Sequence, residues 1–279
     1  MGLKFILFSG HSPFLIKDQG HPESQRALTQ LSEPFKNLDL VAVVSSHWVS
    51  HNGFLANNRT QPRFIQDYYG FSKELYDVSY PCIGDPQFAQ EIITYATRKG
   101  LTAQATSHWG MDHGHWTPLL WLLPDADIPV VPLSISNSTP EQHVLWGQAI
   151  REAAEQSSLS IGIIISAALT HRLDKITWGR NEPFPEGERF DHEVINIMLT
   201  GAWNALDTFD KALFHTAAPE GGWGPLATLR GLVGNSALGK LVCYERMFTG
   251  ATMATVAFEI STESKMDFSY DYSTIVGRT

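Results

Sequence analysis

Apolar residues fall along this chain in two patterns. Unbroken runs (FILFS up to Ser9, VAVVSS up to Ser46, IGIIIS up to Ser166) predict strands buried on both faces, because a strand covered on one face only would alternate. Between them, apolar positions recur three and four residues apart, which fits the single buried stripe of a helix. Taken in order, the spacing predicts strands over residues 3–9, 41–46, 53–55, 101–106, 129–135, 161–166 and 252–260. It predicts helices over 25–35, 86–99, 118–123, 140–157 and 223–233, and one or two more over 191–214. Gly100 ends the second helix, and Ser138 or Thr139 caps the fourth. The prolines in PVVPLSI place the 129–135 strand at an edge or in an irregular position. Residues 61–86 are aromatic and aperiodic, the mark of a functional loop or lid, and 178–190 reads as a polar, proline-rich loop. Alternating strands and helices predict the α/β class: a single domain over residues 1–279, with a central, mostly parallel or mixed sheet flanked by helices.

Composition narrows the function. Hydrophobic residues make up 43% of the 279, enough for a sizeable core, and the formal net charge of -9 repels phosphate backbones, so nucleic acid is excluded as a partner. Cys82 and Cys243 form no CxxC pair, which argues against a disulfide framework or thiolate zinc site and fits a reducing, cytoplasmic setting. The start MGLKFILFSGH reads as a first strand rather than a signal peptide, and no run approaches the ~20 apolar residues of a membrane helix. A homo-oligomer is compatible with this composition. The chain lacks GxxxxGK[ST], GxGxxG after a strand and GxSxG, so nucleotide binding and serine hydrolysis have no motif support.

What remains is histidine. His11, His47 and His171 each follow a buried strand, and His113 lies in a glycine-flanked turn beside Asp112. Ligands and reacting groups gather at strand exits in open α/β sheets. Two imidazoles leaving neighbouring strands can converge on one divalent metal, and two histidines plus a carboxylate leave open positions for substrate and O2, the logic of non-haem Fe(II) enzymes; Zn(II) accepts the same donors. The best carboxylate is Glu220, in a turn of small residues before a helix; His215 competes with it as third ligand. His171 is placed to act as general base and acid. A histidine taken alone is better read as a polar cap for a loop, the pair at equivalent strand exits brings the metal reading level with that one, and Glu220 alone reads also as an ordinary helix-start carboxylate. His113 and His115 are two residues apart, so HGH by itself is a weak metal motif. His21, His51, His108, His143 and His192 lack such settings, the last two reading as solvated helix positions. Tyr68, Tyr69 and Phe71 either line a pocket for a flat ring or pack as core.

With these residues in view, the chain resembles the class III extradiol ring-cleaving dioxygenases, the superfamily of the protocatechuate 4,5-dioxygenase catalytic subunit, and in particular its DOPA 4,5-dioxygenase-like branch. The resemblance rests on SGHSP, SSHW, DYYGFSKELYDVSYP, MDHGHWTPLLWLLPDADIPVVPLSI, SAALTHRLD and EPFP, which run in the family's order from residue 9 to about 185. It implies a metal site of His11 and His47 with a third ligand from the C-terminal part, His171 as the acid/base, and His113 as a group that contacts substrate or oxygen. The Glu220-Gly221-Gly222 segment is similar to ring-cleaving enzymes whose third ligand is glutamate. The activity implied is Fe(II)-dependent cleavage of a small aromatic diol with O2, as in aromatic compound catabolism. Two other readings share these residues: a zinc-dependent hydrolase, and a metal-free binding protein of the same fold.

Overall fold

The computed structural model describes residues 1–17, 22–177, 180–234 and 238–260; His21 and the Trp178 start of the expected loop lie outside them. Among the described residues the strands are β1 (Gly2–Ser9), β2 (Leu40–Ser50), β3 (Phe54–Asn57), β4 (Ala103–Thr106), β5 (Val130–Ser136), β6 (Ser160–Ser166), β7 (Lys240–Phe248) and β8 (Ala251–Glu259). They form one mixed sheet in the order β4-β3-β5-β2-β6-β1-β8-β7. Its centre, β5-β2-β6-β1, is parallel, while β8 and β7 extend it antiparallel on one side and β3 meets β5 antiparallel on the other.

Helices cover both faces, as an α/β sheet requires. One face packs under α1 (Pro22–Phe35) and α3 (His113–Leu122), the other under α2 (Pro86–Arg98), α4 (Pro140–Gln156), α5 (Pro185–Thr200), α6 (Lys211–Ala217) and α7 (Gly224–Val233). The strand β1 sends Ile6 and Phe8 into one apolar layer and Phe5 and Leu7 into the other. This two-sided burial is why its run is unbroken in sequence. Full burial of one such side chain contributes about 1.5–3 kcal/mol. The α4–α7 crossing depends on glycine: a Cβ on Gly147 would lie 2.0 Å from the Thr228 carbonyl oxygen, and one on Gly231 would lie 2.1 Å from that of Val144.

Four expectations change. The α3 helix starts at His113 rather than near Pro118, because the Asp112 carboxylate accepts the His115 N–H and fixes the first turn. The β5 strand is interior, between β3 and β2, rather than at an edge; its ladder with β3 is a single pair, Ala56 with Leu133, so the missing N–H of Pro132 interrupts little. The α5 helix begins at Pro185 and takes residues 185–190 out of the expected loop, with proline in its first turn, where no intrahelical donor is needed. The sequence reading also passed over β7, an edge strand whose Lys240, Glu245 and Arg246 hide its apolar pattern and guard the open edge.

Candidate metal centre

The strands β2, β6 and β1 are neighbours, so their C-terminal ends form a row spanning about 10 Å. His11 stands two residues past β1. Gly10 before it must be glycine, since a Cβ there would lie 2.7 Å from the Met253 Cβ. The buried His11 ring has its Nδ1 2.9 Å from Ser166 Oγ at the end of β6, which sets its orientation. His47 does not lie beyond β2, as its sequence setting implied. It lies within the strand, where the register against β5 shifts between Ser45 and Val49. Such a bulge re-aims a side chain. Ser45 Oγ accepts the His47 N–H at 3.1 Å and donates to Asp112 Oδ1 at 2.7 Å, tying the bulge to the cap of α3.

Glu220 comes from the turn before α7, where Gly221 and Gly222 take φ of 68° and 62°, a conformation that suits residues without a Cβ. Ala168 N–H donates to Glu220 Oε2 at 3.0 Å, and Glu220 N–H donates to the Ala168 carbonyl at 3.2 Å. The carboxylate lies 2.9 Å (Oε1) from His47 Nε2, 3.4 Å (Oε2) from His11 Nε2 and 3.7 Å (Oε1) from His171 Nε2. His171 is held by its N–H on the Ala217 carbonyl and by a bridge to Ala251. His113, in the first turn of α3, completes the group: His11, His47 and His113 offer ring nitrogens within 4.8 Å of one another. All five histidine and glutamate positions singled out from the sequence therefore meet.

Asp67 was missed. Its Oδ2 lies 2.9 Å from His47 Nδ1 and its Oδ1 lies 2.8 Å from His113 Nδ1, while His113 N–H also donates to Oδ1 at 2.9 Å. One carboxylate thus orients two imidazoles, the arrangement that fixes tautomer and direction in metal sites. Its signal was its place in the aromatic loop 61–86, at the head of the DYYGFSKELYDVSYP segment that carries the family resemblance. Of the other candidates, His215 is exposed and meets Phe214 edge-on, outside the cluster. His115 turns into the core, its Nε2 3.2 Å from the Leu133 carbonyl, which separates the two histidines of HGH. His143 is buried rather than solvated, its Nδ1 2.9 Å from the Thr139 carbonyl and its Nε2 accepting the Ser136 N–H. His192 is half-buried.

The electrostatics of the cluster favour a cation. Burial pulls the His47 imidazole down, but hydrogen bonds to Asp67 and Glu220 and the charge of both carboxylates outweigh it and raise its pKa to about 10. Burial would also raise the carboxyls of Asp67 and Glu220, yet the histidines around them hold both well below the usual range. Burial lowers His113 to about 4 and moves His171 down as well. Since carboxylates only accept, both His47 nitrogens carry protons in this arrangement, and the one on Nε2 sits between imidazole and Glu220 where a cation of higher charge can replace it. Two imidazoles and a carboxylate, with His113 as a further nitrogen, make a donor set that fits a divalent iron or zinc ion.

The cluster forms the floor of a cavity of about 490 Å³, whose walls include Phe14, Tyr68, Tyr69, Phe71, Leu173 and Phe248. Tyr68 serves both of its expected roles: it lines the cavity and is itself buried, its hydroxyl donating to the Leu75 carbonyl at 2.6 Å.

Three comparisons bear on this geometry. The sequence pattern of the family described as the catalytic LigB subunit of aromatic ring-opening dioxygenase matches residues 6–258. The chain is 30% identical over 204 residues to a 4,5-DOPA dioxygenase extradiol of Escherichia coli K12, covering 70% of this chain and 73% of that one. It is 29% identical over 228 residues to the dioxygenase tasH of Hapsidospora irregularis, covering 76% and 68%. The crystal structure of an uncharacterized protein from Escherichia coli K12 superposes with a TM-score of 0.70 at 23% identity, over 91% of this chain and 99% of that one, a likeness of fold.

Proposed function

Because the chain belongs to the family of the catalytic LigB subunit of aromatic ring-opening dioxygenases, we propose that it opens the ring of a catechol-type diol with O2, using a non-haem Fe(II) held by His11, His47 and Glu220. The observation that carries this reading is the meeting of these side chains from β1, β2 and the turn before α7 around one carboxylate, at 2.9 Å and 3.4 Å. The unbroken sheet from β4 to β7 supports treating residues 1–279 as one catalytic domain.

A divalent iron held there by His11, His47 and Glu220 would supply the binding of diol and O2 and the electron exchange between them. The residues do the rest. His47 keeps its Nδ1 proton on Asp67, so the ring stays oriented with Nε2 toward the site where it would serve as a metal ligand. His171, held neutral by burial, takes a proton from a diol hydroxyl and returns it to the open-chain product. His113 donates its Nδ1 proton to Asp67, so its Nε2 presents a lone pair that accepts a hydrogen bond from a substrate hydroxyl. The apolar walls exclude water from the reacting atoms. The balance is simple: one ring C–C bond beside the diol breaks, both atoms of O2 enter, and every substrate atom is retained in a hydroxy-semialdehyde.

The test is anaerobic loading with Fe(II) or Zn(II), then exposure to air with a panel of diols, beginning with DOPA, for which several relatives are named. Expected are O2 uptake and a yellow semialdehyde product with iron only. Bound iron with no O2 consumed for any diol overturns the proposal, and oxygen-independent activity with zinc replaces it with the hydrolase reading. The His171→Gln variant should keep its iron and lose about 10²–10⁴ in turnover.

A further inference from the structure

The cavity has a charge bias that bears on what it accepts. Its acidic lining residues are Asp67 and Glu220, and among the described residues no lysine or arginine lines it. The cations on neighbouring segments are committed elsewhere. The Arg172 guanidinium forks onto Asp174 at 2.7 Å and donates to the Thr216 carbonyl at 3.0 Å. The Lys175 ammonium sits 4.8 Å from the centre of the Phe184 ring, and Arg246 is paired with Glu188. Opposite the histidines, Phe14 meets Phe71 and Phe248 edge-on at 5.3 Å and 5.1 Å, an aromatic wall built from three separate segments. Met247, Leu173 and Ile176 extend it.

We propose that the diol taken by this site bears an uncharged, apolar ring substituent, seated against Phe14, Phe71 and Phe248, and that diols bearing a carboxylate are selected against. The inference rests on the ring-opening reading above. A carboxylate seated against this wall would lose its hydration with no lysine or arginine among the described lining residues to pair with it. An alkyl substituent would remove apolar surface from water on both sides of the contact.

The experiment uses the full-length, Fe(II)-loaded protein. It compares catechol, 4-methylcatechol and 4-ethylcatechol with 3,4-dihydroxybenzoate, 3,4-dihydroxyphenylacetate and zwitterionic 3,4-dihydroxyphenylalanine. The readouts are kcat/KM in air and calorimetric affinity without O2. The alkyl catechols should exceed the carboxylated diols by about tenfold or more in both measures. Leu173→Arg, at a 59% exposed position on the rim, and Phe248→Arg, on the wall, should narrow or reverse that gap by supplying the missing cation. Carboxylated diols turned over and bound as well as alkyl ones by the unmodified protein would overturn the inference while leaving ring opening intact. If no diol is turned over despite bound iron, the ring-opening reading falls and takes this inference with it.

Discussion

At the residue scale, side chains matter here through what they hold. Asp67 grips the outer nitrogens of His47 and His113 at 2.9 Å and 2.8 Å. Asp67→Asn replaces one acceptor with an N–H donor that faces an imidazole N–H, so metal affinity should fall by about 10–100-fold, read by calorimetric titration with Fe(II) or Zn(II). Asp191 on α5 is a second buried carboxyl, outside the cluster. Its Oδ2 accepts from Thr252 at 2.7 Å and Tyr244 at 2.8 Å, and its Oδ1 lies 2.8 Å from Thr170 Oγ1. The same Thr170 hydroxyl is 2.9 Å from the Gly187 carbonyl, so a proton on Asp191 would free its single hydrogen from being shared between the two acceptors. Burial agrees, pushing the carboxyl up to about 7 against the three hydroxyls that pull it down. A raised folded pKa means that stability is fully present below about 4, is lost as pH rises toward 7, and is level beyond that. Asparagine mimics the protonated acid, so Asp191→Asn should gain on the unmodified protein by about 2 kcal/mol between pH 5 and pH 8 in urea unfolding. A constant difference across that range would refute the neutral-acid assignment.

At the element scale, the site depends on how α7 packs. Glu220 precedes α7, and α7 lies against α4 through Gly147 and Gly231. Adding Cβ at either glycine meets backbone, which cannot rotate away, so the helices must separate. Gly231→Ala should cost about 1–3 kcal/mol, seen as a lower midpoint on thermal unfolding of metal-free protein. It should also weaken metal binding, because the turn that carries Glu220 moves with α7; unchanged affinity would show that the Ala168–Glu220 hydrogen bonds suffice to hold the carboxylate. Local signals predicted the buried strands β1, β2 and β6 well, since two-sided burial writes itself as an unbroken apolar run. They failed for β7, where edge charges break the pattern, and for the start of α3, where one aspartate outweighed a proline six residues later.

At the scale of the whole molecule, the cluster concentrates two carboxylates and several imidazoles that a bound cation would reconcile. Metal bound only to the folded state stabilises it by mass action, about 2.7 kcal/mol at a hundredfold excess over Kd. Chelation of the iron-loaded protein should therefore lower its melting midpoint by several degrees, while Glu220→Gln should melt at one temperature with or without chelator. Equal shifts in both proteins would place the metal elsewhere. Among the described residues no helix is long and apolar enough to cross a membrane, and both cysteines are buried and unpaired.

The sequence alone determined the α/β class and the buried strands β1, β2 and β6, and it offered His11, His47, His113, His171 and Glu220, with His215 beside them, as candidates, because burial period and strand-exit position are local properties of the chain. Which of them meet was decided by tertiary structure. The order β2-β6-β1 brings residues 11, 47 and 171 to one edge, the bulge in β2 aims His47, and the turn before α7 delivers Glu220. Asp67 joins them from an aperiodic loop, and His215 is left outside, five residues from the glutamate that was chosen. Hydrogen-bond partners far apart in sequence leave no periodic trace, so only the folded chain can show them.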